Sequence, residues 1–336
     1  MEKGAIKITN AQLRRVISSY DPKYCAEKIT PARQGVANPV FIVHSRSGDI
    51  VLRVFNPIAG DWKPKKEAVV YELLSREGIP APEVLLTDTS KNLIPFNYAI
   101  SKRLSGKSLN DTTLQAAVKI KVMGQLGEYL GRMHSNIFNR FGDIKRTPRG
   151  IVVGKAHELG VAKDIKKGPF KTWKEMHREI IKSRLYYFKG TEFAPLISPI
   201  KKYFKDNEHL IDYDITPRLL HLDLNKGNVF VEGSTITGIL DVEESLVGHN
   251  EYDLMRTENL FENNAMREAF FNSYTRHIKL DNGYEKRRAF YALSRSLVGV
   301  RVLVLWKAHF TKKQYDLEKA RTLERIRNIL ANKQYE

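Results

Sequence analysis

The stretch His221-Leu-Asp223-Leu-Asn-Lys-Gly-Asn228 sets an acid and, five residues later, an amide on one polar loop. A carboxylate presented on such a loop, Asp223, can accept the proton of an approaching hydroxyl. Asn228 opens an apolar run, Val229-Phe-Val231. Gly233-Ser234 follows, and then a second apolar run from Ile236 to Leu240 that ends at Asp241. Two short runs around a glycine-containing turn predict a β-hairpin. A hairpin places its open ends side by side, so Asn228 and Asp241 come together with Asp223 just before them. Two oxygen ligands on adjacent strand ends suit Mg²⁺, a hard cation that takes one or two protein oxygens and completes its shell with phosphate oxygens. The predicted chemistry is transfer of a phosphoryl group to a hydroxyl.

The order H-x-D, four residues, N, hairpin, D resembles the kinase catalytic loop. In detail it is similar to the aminoglycoside phosphotransferase and choline-kinase branch. Protein kinases carry Lys two residues after the Asp, where this chain has Asn225. They carry D-F-G where this chain has Asp241-Val-Glu243. The later Gly248-His-Asn-Glu-Tyr252-Asp253-Leu254 looks like the G-x-x-x-Y-D-L stretch of that branch. The resemblance implies that Asp223 is the catalytic base and that Asn228 and Asp241 hold Mg²⁺. It implies that His221 braces the loop backbone, with Glu243 and Glu244 near metal or substrate. The implied fold is α+β and protein-kinase-like, with two lobes. An N-terminal antiparallel sheet lobe with one helix would span residues 1–104, and a larger, mainly helical lobe residues 105–336. The resemblance covers about residues 30 to 260, and the C-terminal helices are assigned by continuation.

The elements that must position a nucleotide lie in the first third. Runs at Ile29–Gly35, Asn38–Val43 and Asp49–Phe55 read as strands, the first confined to an edge by Pro31. The turn Gln34–Asn38 sits where a phosphate-covering loop would lie, and the resemblance places an Asn there, matched by Asn38. Arg53 alternates with Ile50, Leu52 and Val54, so it faces the other side of its strand. Lys65 to Glu77 reads as a helix in which Glu67 shares the inward stripe of Tyr71 and Leu74. A carboxylate on an inward stripe requires a cation. Arg53–Glu67 is the predicted pair, with Arg53 on the nucleotide phosphates. Gly78 and Ile79-Pro-Ala-Pro82 end that helix. The strand Asn97–Gly106 leads into an interlobe hinge, where the resemblance implies that the backbone of Ser101, Lys102 and Arg103 reads the adenine edge.

Further on, Leu114, Val118, Val122, Leu126, Leu130 and Met133 follow helical spacing up to His134, a helix-end histidine expected to pack or cap. Residues Phe141 to Phe170 read as loop. Helices are predicted over Lys171–Phe188, Glu285–Phe310 and Lys312–Lys333, with Trp306 expected in the core.

A chain of 336 residues with 42% hydrophobic content suits two lobes sharing a cleft. The lone cysteine, Cys25, excludes an intramolecular disulfide framework. No apolar run reaches membrane-spanning length and no secretory signal is evident, so a cytoplasmic protein is expected. The net charge of +18 is uneven: Asp223 to Glu262 carries nine acids and two bases inside a basic body. The acidic segment favours a cationic acceptor, an aminoglycoside-type molecule. Lys145, Arg146, Arg149, Lys155, Lys163, Lys166 and Lys167 would favour an anionic one if their loop lined the cleft. The expected partners are a nucleoside triphosphate, ATP or GTP, and a small hydroxyl-bearing acceptor. An amino alcohol, a sugar, protein or RNA are alternative acceptors, and nucleic acid is a less favoured partner for the basic surface. Either way Mg²⁺ is the expected cofactor.

Overall fold

The computed structural model describes residues 6–32, 38–57, 60–155 and 168–331. It opens with a helix absent from the sequence expectation, α1 (Asn10–Tyr20). Thr9 caps it reciprocally: its hydroxyl accepts the Gln12 N–H, and the Gln12 side chain accepts the Thr9 N–H. Strands β1 (Lys28–Pro31), β2 (Val40–His44) and β3 (Ile50–Val54) follow, then helix α2 (Trp62–Arg76) and strands β4 (Val84–Asp88) and β5 (Tyr98–Lys102). The five strands form one antiparallel sheet in the order β1-β2-β3-β5-β4. The strand carrying Pro31 lies at the sheet edge, as expected, and stops at that residue. The turn read as phosphate-covering falls at 33–37, outside the described residues, apart from Asn38.

Alternation along β3 decides what each face does. Ile50, Leu52 and Val54 are buried with Leu13, Val16 and Ile17 of α1 in a small apolar core. Val51 and Arg53 turn to the opposite face. α2 is buried on most sides because it lies between the sheet and the rest of the molecule. It ends at Gly78, whose φ of +63° suits glycine.

The remainder begins with β6 (Lys107–Ser108) and the long helix α3 (Ala116–His134). The stretch expected as loop instead contains a hairpin, β7 (Asp143–Thr147) with β8 (Gly150–Gly154). Its first strand is so charged that the period-2 signal is faint, but Asp143 and Ile144 are buried against the body. Helices α4 (Trp173–Tyr186) and α5 (Ile197–Asp206) precede four short strands: β9 (Arg218–Leu220), β10 (Val229–Glu232), β11 (Thr235–Ile239) and β12 (Leu246–Gly248). β10 and β11 form the predicted hairpin around Gly233, and β12 pairs with β9.

Helices α6 (Asn250–Thr257), α7 (Asn264–Tyr274), α8 (Tyr284–Leu305) and α9 (Lys312–Leu330) complete the chain. α5, α6 and α7 were not read from sequence. α8 stops five residues before the expected end, and Trp306 is half-buried against the His309 ring instead of lying in the core. α3 and α7 touch backbone to backbone: a Cβ on Gly127 would lie 2.1 Å from the Phe270 carbonyl oxygen. One large apolar core joins α2 to these helices. Among the described residues no helix is long and apolar enough to cross a membrane.

Candidate active site

The loop from His221 to Asn228 hangs between β9 and β10, and its shape is imposed from beneath. Leu222 sits at φ +66°, an unfavourable backbone for a side-chain-bearing residue. Asp253, on α6, holds it there by accepting the N–H of His221 at 2.6 Å and of Leu222 at 2.7 Å. Asp253 is itself fully buried and bonded at 3.0 Å to Nε2 of His134, whose Nδ1 lies 2.8 Å from the Tyr274 hydroxyl. The Tyr252-Asp253-Leu254 stretch thus serves to hold the loop, a role that its sequence did not reveal.

His221 braces the backbone as expected. Its Nδ1 accepts the Asp223 N–H at 3.2 Å, which leaves Nε2–H to donate to the Leu240 carbonyl at 3.0 Å. A ring bonded on both sides is not free to act as a base. Asp223 is held from three directions. Arg256 Nη2 approaches Oδ1 at 3.0 Å, and the side-chain amides of Asn225 and Asn228 each approach Oδ2 at 3.3 Å. Its side chain keeps 30% exposure, enough for a hydroxyl to reach it.

The hairpin closes as predicted. Asn228 accepts the Leu240 N–H at 2.8 Å, so Asn228 and Asp241 are neighbours across the strand ends. Asp241 is at φ +61°, and its N–H donates to the Tyr71 hydroxyl of α2 at 3.0 Å.

Arg53 meets Glu67 at 3.1 Å, the predicted pair. The same guanidinium also reaches Asp241 at 3.2 Å and Glu243 at 2.8 Å. Two lysines of α2 were missed in the sequence. Lys63 pairs with Glu243 at 2.8 Å, and Lys66 pairs with Asp143 at 3.2 Å and with the Ser245 carbonyl at 3.0 Å. Their signal was present, since both lie within four residues of Glu67 on the same helix. Asn38 bridges the Asn56 N–H at 2.9 Å and Glu243 at 3.2 Å.

Three carboxylates therefore crowd Arg53 and Lys63. Burial pushes Glu67 up to about 7 against the pull of Arg53, and burial raises Asp241 as well. Glu243 is buried too, but Arg53 and Lys63 together hold it below the usual range. A divalent cation beside Asp241 would favour its charged form against this burial. Asn228 donates through its amide nitrogen to Asp223, so its amide oxygen remains for a hard metal. Among the described residues no cluster of three or more His, Cys, Asp or Glu forms a metal site. An ion held by Asn228 and Asp241 would take its other ligands from phosphate and water. Arg53 Nε and Glu67 Oε2 are buried with no partner among the described residues.

At the expected hinge the backbone N–H groups already have partners. The Lys102 N–H donates to Glu83 and the Arg103 N–H to Asp49, while Ser101 is paired within the sheet. Lys102 and Arg103 therefore have no N–H left for an adenine edge, and their side chains pair with Glu83 and Asp49.

A cavity of about 980 Å³ opens beside Asp223, with Glu243 and Glu244 on its wall. Burial pushes Glu244 up to about 7. The other acids of the segment face elsewhere. Glu251 is buried against Arg287 at 2.6 Å, Glu258 pairs with Arg288, and Glu262 pairs with Lys119 and Lys226. The acidity seen in sequence is thus largely structural and does not form a negative cavity floor. Among the described residues the basic loop does not line this cavity either. Lys145, Arg146 and Lys155 border a separate one beside α2, and Lys163, Lys166 and Lys167 lie outside the described residues.

Comparison with known proteins follows this geometry. Residues 28–290 match the model of the phosphotransferase enzyme family. No curated protein matches the sequence. Among solved structures, the fold is similar to aminoglycoside phosphotransferase APH(4)-Ia, with a TM-score of 0.70, 16% identity, and coverage of 97% of this chain and 100% of that one. A thermostable mutant of that enzyme, in ternary complex with AMP-PNP and hygromycin B, gives a TM-score of 0.67, 17% identity, and coverage of 95% and 98%. The streptomycin-ATP-APH(2")-IIa ternary complex gives 0.61, 12% identity, and coverage of 97% and 99%. With a kinase-like fold and a family match over most of its length, this chain belongs to the phosphotransferase enzyme family.

Proposed function

We propose that the protein transfers the γ-phosphoryl group of ATP or GTP, with Mg²⁺, to a hydroxyl of a small molecule. The observation that carries this reading is the convergence of Asp223, Asn228 and Asp241 at one end of the β10–β11 hairpin, facing the Arg53–Glu67 pair. The nucleotide would lie between residues 1–104 and 105–336. Complexes of the similar structures with AMP-PNP or ATP support a nucleotide donor. They also contain hygromycin B or streptomycin, so an aminoglycoside-type acceptor is the natural first test. A cytoplasmic site of action accords with such a donor.

In the proposed step the acceptor oxygen forms the new bond to phosphorus while the bond from the γ-phosphorus to the bridging oxygen breaks. The nucleoside diphosphate leaves, and Asp223 takes the hydroxyl proton. Arg256, Asn225 and Asn228 aim the carboxylate, and Asp253 and His221 fix its backbone. Arg53 supplies donors to the phosphates. Mg²⁺, held by Asn228 and Asp241, would neutralise phosphate charge. The test is a labelled-ATP transfer assay against pooled aminoglycosides, sugars, amino alcohols and RNA. Nucleotide binding with no transfer to any pool, under conditions where Asp223→Asn changes nothing, would overturn the reading.

A further inference from the structure

The 980 Å³ cavity opens onto Asp223, so an acceptor bound in it would meet the residues of its wall. Five arginines line it: Arg256 of α6, Arg295 and Arg301 of α8, and Arg321 and Arg325 of α9. The two on α9 stand one turn apart and share a face. Gly299 lets that helix approach α8 closely, since a Cβ there would lie 2.9 Å from Thr322 Oγ1. The arginines of both helices thus face one space.

The balance of partners matters more than their number. Three of the four acids on the wall already pair with cations. Asp223 pairs with Arg256, Glu243 with Arg53 and Lys63, and Glu318 with Arg321 at 2.9 Å. Glu244 lies in the field of Lys63 and Arg301 but forms no ion pair among the described residues, and its Oε2 is buried with no hydrogen-bond partner there. Arg295 donates to the Leu222 carbonyl at 2.8 Å and stands over the Tyr252 ring, with no carboxylate partner among the described residues. Arg301 and Arg325 form no ion pair there either; Glu244 is the acid that Arg301 acts on, and Arg301 Nη1 is buried with no hydrogen-bond partner among the described residues. A buried guanidinium donor left unpaired is costly unless a ligand meets it. The planar guanidinium fork matches carboxylate and phosphate.

We infer that the acceptor is a small hydroxyl compound that also carries a carboxylate or phosphate, bound through the arginines of α8 and α9 with its hydroxyl toward Asp223. This rests on the phosphotransferase reading above. It reverses the cationic acceptor expected from sequence. That expectation counted acids that the fold turns inward, and it could not see arginines arriving from three separate helices.

The test is calorimetry with AMP-PNP and Mg²⁺ saturating the nucleotide site. The probes are glucose 6-phosphate, gluconate, glucose and neomycin. At least one anionic probe should bind, and the phosphate and carboxylate arms show which group is preferred. Glucose and neomycin should bind at least about tenfold more weakly, the scale of one charge-assisted hydrogen bond. Arg301→Gln and the exposed Arg325→Gln should each weaken the anion by about tenfold or more. Binding of AMP-PNP, measured first, shows that each variant is folded. Equal or tighter binding of neomycin, no binding of either anion, or anion binding untouched in both variants would overturn the inference. Phosphoryl transfer to a neutral or cationic acceptor, without anion binding, sinks this inference alone. Anion binding through these arginines in a protein with no Asp223-dependent turnover of ATP sinks the phosphotransferase reading and leaves the anion site standing.

Discussion

Arg53 Nη2 lies 2.8 Å from Glu243 Oε2, joining the third strand of the N-terminal sheet to the turn that follows the β10–β11 hairpin. The same guanidinium holds Glu67 through Nη1 and Asp241 through Nη2. One cation therefore ties the sheet, helix α2 and the hairpin end into one charge network at the proposed nucleotide site.

Arg53→Lys keeps the charge but loses the fork that serves these carboxylates at once. Nucleotide affinity should fall about tenfold, as read by titration with AMP-PNP. Unchanged affinity would remove Arg53 from the phosphate site.

Asp223→Asn preserves shape and removes the proton acceptor. Transfer should drop by about two or more decades, the span of general acid–base catalysis, while nucleotide binding survives. Near-normal turnover in a labelled-phosphate assay would assign the base elsewhere.

Asp241→Ala should abolish the tightening of ADP binding by Mg²⁺, because the carboxylate would be the stronger of the two proposed protein ligands. Calorimetry with and without the metal decides it. A retained metal effect would place the ion on other groups.

Asp253→Asn should cost about 3 kcal/mol at pH 7, since a buried carboxylate loses its charge-assisted bonds to two N–H groups and His134. Burial raises this carboxyl, but His134 and His221 more than offset that and hold it below the ordinary range. Its stabilisation is therefore full above the unfolded value of about 4 and is lost as pH falls through the lower folded value. Urea unfolding of both proteins at pH 7 and at steps below about pH 4 should show the gap narrowing with acid. A gap that stays constant would mean that the carboxylate charge is not what holds Leu222.

Gly127→Ala should cost about 1–3 kcal/mol by forcing α3 from α7, because its Cβ has no room beside the Phe270 carbonyl. Thermal unfolding measures the loss. A neutral effect would mean that the two helices separate easily.

What could be read without coordinates was local or carried by a short motif. The β10–β11 hairpin follows from two apolar runs around Gly233. It brings Asn228 beside Asp241 because strand ends are neighbours whatever else the chain does. The Arg53–Glu67 pair follows from strand alternation and helix stripe, each a property of a few consecutive residues. Helix α1 was legible too, since Thr9 and Gln12 form a capping box before Leu13, Val16 and Ile17, but it went unread. Only the tertiary structure decided where charge ends up. Glu251 and Glu258 look like substrate-facing acids in the sequence. They are spent on Arg287 and Arg288, about thirty or more positions away. Arg256, Arg295, Arg301, Arg321 and Arg325 look like scattered surface residues, yet three helices bring them to one cavity. Asp253 shapes the loop at Leu222 from 31 positions along the chain. Sequence spacing determines neighbours within an element, whereas the partner of a charge depends on how whole elements pack.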